Sequence, residues 1–181
     1  MNILADWISQ LIRAAAEWVD RCLPEYEPSV WNDNDGVQLY NNCYNYACDI
    51  QTNSYAQPGY AHGITLPNPY TGNGTCSDVT GGATADGLVV TTCDQGCGCD
   101  ECHHQVALVI KPNQNDYWDY HWYRKDRDGR WSHKMGQYPA TNLDNSGDII
   151  TDPETADRGS YTIFCGYFCA NKTKVTIDGP W

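Results

Sequence analysis

The sequence has few basic residues. It contains 11 lysines and arginines against 23 aspartates and glutamates, which gives a formal net charge of −12. A protein that binds nucleic acid or an anionic membrane surface needs clustered cations to contact phosphate groups. The composition therefore argues against both kinds of partner. It favours a soluble chain whose partner is neutral or cationic.

Long apolar runs are also missing. No segment approaches the roughly 20 apolar residues that a membrane-spanning helix needs. The N-terminal segment, MNILADWISQLIRAAAEWVDRC, has no basic region followed by an uninterrupted apolar stretch, so it does not read as a signal peptide. Ten cysteines, an even number, favour an extracellular or exported protein with disulfides; otherwise the chain is expected to be cytoplasmic.

Apolar residues recur every three or four positions in the N-terminal segment, which predicts an amphipathic helix within residues 1–28. Pro24 and Pro28 mark its end. The apolar stripe must be buried against something. We expect it to pack on the rest of the chain, with contact between helices of two copies as the alternative. The stripe consists of Ile3, Leu4, Trp7, Ile8, Leu11, Ile12, Ala15, Trp18, Val19 and Cys22.

Residues 29–181 are predicted to form a single cysteine-rich α+β domain. A short helix is expected around Cys43, followed by a long irregular region over residues 51–92 that is rich in Gly, Pro, Asn and Thr. The later segments LVVTT, HQVALVI, DYHWYRKD, RWSHK, YTIFCGYFC and KVTI are strand candidates, and Asp128-Gly129 predicts a hairpin turn. We therefore expect N-terminal helices that pack on an antiparallel sheet.

Cys43 is a candidate nucleophile because a cysteine at a helix start gains thiolate character there. A base must be brought to it by the fold. His104 opens the strand HQVALVI, and His121 lies on the next strand, so a Cys43–His104–His121 triad is one hypothesis. The alternative is that Cys43 is an ordinary buried cysteine or half of a disulfide.

The segments NNCYNYACD, H-x-VALVI, DYHWYRKDRDGRWSHKMG and NLDNSGDIITDPETADRG together resemble an uncharacterised group of bacterial and phage-associated proteins. More remotely, they are similar to papain-like cysteine hydrolases of the NlpC/P60 and CHAP type. This resemblance implies a papain-like fold and hydrolysis of an amide bond in a peptide or in cell-wall peptidoglycan, without a cofactor. It implies Cys43 as nucleophile, His104 as base, and His121, or less favourably Asp119, as the orienting residue.

The cysteines and histidines of the segment CDQGCGCDECHH suggest other chemical roles. Cys99, Cys102 and His103 match C-x-x-C-H, the attachment pattern of c-type haem, which would make the chain a single-haem electron-transfer protein. The same region offers four thiolates for a structural zinc site, formed by Cys93, Cys97, Cys99 and Cys102. Disulfides are the third chemistry open to these cysteines. A further alternative for the whole chain is a structural or assembly protein on a hydrolase-like fold.

Overall fold

An antiparallel sheet of six strands forms the centre of the structure, a computed structural model that describes residues 3–32, 36–91, 102–114 and 116–181. Within these residues the strand order across the sheet is β1-β6-β2-β3-β4-β5. The strands are β1 (Val89–Thr91), β2 (His104–Lys111), β3 (Asp119–Lys125), β4 (Trp131–Lys134), β5 (Ala140–Thr141) and β6 (Ile163–Ala170).

Helices precede the sheet, which confirms the predicted α+β class. Strands β2, β3, β4 and β6 lie where the sequence predicted them. The described helices are α1 (Ile3–Cys22), α2 (Pro28–Trp31), α3 (Val37–Tyr40), α4 (Cys43–Cys48) and α5 (Cys76–Ala85), with a 3₁₀ turn at Tyr60–His62. No described helix has the length and apolar character to cross a membrane.

Two expectations about this part of the chain are wrong. Helix α5 lies inside the region predicted to be irregular. Its start is set by a capping box between Thr75 and Asp78 rather than by an apolar stripe. The segment KVTI forms no strand in the structure; Val175 and Ile177 are buried in the core from an irregular backbone.

Strand β2 is buried on both faces, which explains its continuous apolar run. Val106, Leu108 and Ile110 belong to the core cluster that also contains residues of α4. The intervening Ala107 and Val109 belong to a second cluster on the opposite face. Helix α4 packs across β3 and β4 on the first of these faces, so its N-terminus is held at a fixed place over the sheet.

A disulfide between Cys76 and Cys165 joins the start of α5 to β6 and closes a loop of 89 residues. Cys102 and Cys169 are disulfide-bonded as well. Such bonds stabilise the fold mainly by restricting the unfolded chain.

We expect the double substitution Cys76→Ser and Cys165→Ser to lower the free energy of unfolding by about 3 kcal/mol, since the closed loop is long. Urea unfolding of both proteins under non-reducing conditions measures the difference. Ser77→Ala, an exposed neighbour in the same helix, serves as the control and should leave the midpoint unchanged. Equal midpoints for the wild type and the double variant would contradict the prediction.

Helix α1 does not pack on the rest of the chain along its described side chains, contrary to our expectation. All side chains from residue 4 to residue 13 are exposed. Leu4 is 68% exposed, Trp7 63% and Ile12 63%, although all three belong to the apolar stripe. The stripe is therefore uncovered from Leu4 to Ile12 in the isolated chain.

Candidate functional site

A cleft of about 390 Å³ opens beside the N-terminus of α4. It lies between this helix, strand β3 and the turn that connects β4 to β5. We call it the α4 cleft. Its lining combines polar groups with five tyrosines, and consists of Asn42, Cys43, Tyr55, Gln57, Tyr117, Asp119, Tyr120, His121, Met135, Gly136, Gln137, Tyr138 and Tyr161.

Asn42 positions Cys43 at the first turn of α4. The Asn42 side chain accepts hydrogen bonds from the backbone N–H groups of Tyr44 and Asn45, and the Asn45 side chain accepts one from the backbone N–H of Asn42. This reciprocal cap begins the helix at Cys43. The Asn42 amide also donates to the Ala56 carbonyl at 2.7 Å, which ties the helix start to the following loop.

Cys43 is a free, buried thiol. Burial raises the pKa of this thiol to about 12, and the negative charge of Asp119 acts in the same direction. Because the thiolate is the nucleophilic form of cysteine, the thiol is almost entirely in its unreactive form at neutral pH.

His104 is not brought to Cys43 by any hydrogen bond in the described structure. Its Nε2 donates to the carbonyl of Ala47, near the opposite end of α4, at 2.6 Å. Burial lowers the pKa of His104 to about 4. On β2 the residue opposite His121 is Val109, five positions beyond His104 and therefore about 16 Å along the strand. His121 consequently does not orient His104.

His121 lines the α4 cleft together with Cys43, but its hydrogen bond is made to another histidine. Nε2 of His121 and Nδ1 of His133 are 2.7 Å apart, and Nε2 of His133 donates to the Leu143 carbonyl at 3.1 Å. The carbonyl only accepts, so Nδ1 of His133 accepts the proton of His121. Burial lowers the pKa of both histidines, and for His121 the neighbouring His133 lowers it further.

Two buried cations next to α4 were not found by sequence reasoning. Lys134 has no exposed surface, and its ammonium donates to the backbone carbonyls of Gln38, Asn41 and Gly136 at 2.6 Å each. Burial lowers the pKa of Lys134 to about 8. This side chain fastens the segment before α4 to β4.

Arg124 is the second buried cation, and its side chain is 0% exposed. Its guanidinium pairs with Asp126 at 2.9 Å and with Asp49 at 3.1 Å. It also donates to the Tyr46 hydroxyl at 3.0 Å and lies 4.0 Å from the centre of that ring. Arg124 thus connects β3 to the end of α4.

Within the cysteine cluster, Cys93, Cys97 and Cys99 lie outside the described residues. Cys102 is described and is disulfide-bonded, and a disulfide sulfur is neither a zinc thiolate nor a haem thioether. In the described ranges no group of three or more His, Cys, Asp or Glu side chains could hold a metal ion. The expected zinc site is therefore unsupported there; for the other cysteines and His103, haem and zinc stay predictions.

Comparison with known proteins gives one informative relative. Insoluble matrix shell protein 1 of Ruditapes philippinarum is 44% identical over 147 residues, which is 81% of this chain and 89% of the relative. No protein-family model matches the chain. No solved structure matches it either, so the papain-like fold is not confirmed.

This relative overturns the resemblance drawn from short motifs. The assignment to a bacterial and phage-associated group is wrong, and so is the function it implied, a cysteine-dependent amide hydrolase. The physical reason for the error is that a helix-tip cysteine and a strand-opening histidine also occur in ordinary cores. Here Cys43 is a buried thiol and His104 is bonded to a backbone carbonyl. The structural or assembly alternative agrees better with the relative.

Proposed function

Because this chain belongs to the same family as insoluble matrix shell protein 1 of Ruditapes philippinarum, we propose that it is a structural protein that assembles in an extracellular matrix. The observation that carries the proposal is the uncovered apolar face of α1 from Leu4 to Ile12. The proposed assembly step is association of α1 with the same helix of other copies.

The apolar face of α1 has the spacing of a helix seam. Leu4, Ile8 and Leu11 are separated by four and three residues, and Ala15, Trp18 and Cys22 continue the alternation in the sequence. A strict repeat of four and three residues is typical of helices that wind around one another. Most of the stability of a helix in a protein comes from the packing of its apolar face, so a helical partner would also stabilise α1 itself.

Charge favours a second copy of α1 as that partner. Within α1 three acidic residues are nearly balanced by two basic ones, whereas the whole chain carries a net charge of −12. Two acidic bodies repel each other, but two nearly neutral helices do not. Helix α1 therefore offers exposed apolar side chains with little charge repulsion between two copies of the helix.

The disulfides support the extracellular part of the proposal. Cys76–Cys165, with the bonded Cys102 and Cys169, suits an oxidising compartment, where such bonds persist. We propose that the chain is exported and that its disulfide-bonded sheet forms the rigid body of the assembly, with α1 as the connecting element.

The double variant Ile8→Glu and Leu11→Glu tests the assembly step. It places two negative charges on the apolar face, and burying an unpaired charge costs several kcal/mol. We expect the wild type to form oligomers at micromolar concentration and the variant to be monomeric. Size-exclusion chromatography with multi-angle light scattering measures the mass of each.

The matched control is Ser9→Glu and Gln10→Glu, which adds the same charge to the opposite, polar face of α1. Ser9 and Gln10 are both exposed, so this variant should keep the oligomeric mass of the wild type. The proposed role of α1 is refuted if both double variants behave alike, or if the wild type is itself monomeric.

A further inference from the structure

The geometry points to a second binding site: the α4 cleft accepts a primary alkylammonium group, carried by a lysine side chain of a partner or by a small free amine, with Asp119 as its counter-ion. This site is separate from α1. The cleft is built from α4, β3 and the turn between β4 and β5, so failure of either proposal would leave the other standing.

The first reason is the charge inside the cleft. Of its thirteen lining residues none is a lysine or an arginine, and Asp119 is the only carboxylate. His121 is neutral at pH 7, because burial and His133 lower its pKa. Cys43 is an uncharged thiol, because burial raises its pKa to about 12. The lining residues therefore supply one negative charge, at Asp119, while the buried Lys134 ammonium is bonded to the backbone carbonyls of Asn41 and Gly136.

The second reason is that Asp119 lacks a cationic partner among the described residues. Its carboxylate accepts hydrogen bonds from the Tyr161 hydroxyl at 2.7 Å and from the backbone N–H of Tyr120 at 2.8 Å. Both donors are neutral. Burial raises the pKa of Asp119, and the nearby Lys111 offsets only part of that effect. Lys111 itself is engaged by Asp116 and by the Tyr117 ring.

The third reason is the aromatic lining. Five of the thirteen lining residues are tyrosines, and the face of an aromatic ring attracts a cation. One of these rings already binds an ammonium within the protein, since Nζ of Lys111 lies 3.3 Å from the ring centre of Tyr117. Tyr138, which is 72% exposed, leaves ring surface for an incoming cation.

The size of the cleft sets the class of ligand. A volume of about 390 Å³ lies at the lower end of the range of small-molecule pockets. It suits one flexible side chain or a short diamine rather than a folded surface. An ammonium on such a chain reaches Asp119 while its methylene groups contact tyrosine rings and Met135.

The experiment uses the ¹⁵N-labelled, oxidised full chain and follows backbone amide shifts during titration with Nα-acetyl-lysine-N-methylamide. We expect saturable shifts at Tyr120 and His121 with a Kd of about 1 mM, as befits a ligand of this size. The corresponding norleucine derivative lacks the ammonium and should not saturate. A parallel titration with 1,5-diaminopentane shows where the bound ammonium group comes from. Tighter binding of the lysine derivative indicates a lysine of a protein partner, and tighter binding of the diamine indicates a free amine.

Asp119→Asn tests the counter-ion. Asparagine keeps the shape and an acceptor for Tyr161, so the fold should persist, which a thermal melt checks. We expect binding of the lysine derivative to weaken about tenfold or more. The control is Glu154→Gln, which removes an exposed carboxylate outside the cleft lining and should leave the Kd unchanged. The proposal is overturned if no titration saturates, if norleucine binds equally well, or if a folded Asp119→Asn binds like the wild type.

Discussion

Replacement of Arg124 by methionine is expected to lower the free energy of unfolding by about 3–5 kcal/mol, a large share of the stability of a single domain. The guanidinium is completely buried and pairs with Asp126 and Asp49. Methionine fills much of the volume but leaves the Asp126 carboxylate, which is 2% exposed, without its cation. An uncompensated buried charge costs far more than the lost hydrogen bonds.

Chemical denaturation of the wild type and of Arg124→Met measures this loss. Arg130→Met is the matched control, because Arg130 is 58% exposed and lies 4.0 Å from Asp128, which is 53% exposed. A surface pair of this kind contributes at most about 1 kcal/mol. Equal losses for the two variants would show that Arg124 does not hold β3 to α4.

Acid is expected to destabilise the fold strongly between about pH 6.5 and pH 4. Burial lowers the pKa of His104, from an ordinary 6.5 to about 4, and also lowers that of His121 and His133. Below pH 6.5 the unfolded chain therefore takes up protons that the folded chain does not. Stability is fully present above pH 6.5 and is lost as the pH falls.

For His104 alone the loss down to pH 4 is about 3 kcal/mol, because each unit of pKa shift corresponds to 1.36 kcal/mol. Buried carboxyls oppose part of the loss, since burial raises the pKa of Asp119 and Asp126. Urea unfolding at pH 7, 5.5 and 4.5 measures the trend. The variant His104→Gln keeps a donor for the Ala47 carbonyl. It should make the free energy of unfolding less dependent on pH. A wild-type stability that does not change over this range would refute the prediction.

The sheet could be predicted from the sequence because its signals are local. The apolar run of β2 and the turn at Asp128-Gly129 lie within single segments, and both are confirmed. Helix α5 could not be predicted from periodicity, since only a few of its residues, among them Val79 and Ala83, are buried. Its start depends on the cap formed by Thr75 and Asp78.

The candidate site was harder to predict because its contacts join distant segments. His121 was recognised, but its partner His133 lies across the hairpin and follows only from the strand register. Arg124 and Lys134 gave no local signal that they would be completely buried. The partners of Lys134 are backbone carbonyls, which every residue has and which therefore leave no signal in the sequence. Motif spacing suggested a base for Cys43, whereas the fold directs His104 to the Ala47 carbonyl.

We propose that the chain is an assembly protein whose copies associate through α1. Sedimentation velocity of the oxidised wild type over a hundredfold range of concentration tests it most directly. For the wild type, we expect the weight-average sedimentation coefficient to rise with concentration. The double variant Ile8→Glu and Leu11→Glu should abolish this rise. The control variant Ser9→Glu and Gln10→Glu should preserve it. A wild type that sediments as a 20.3 kDa monomer at every concentration would contradict the account.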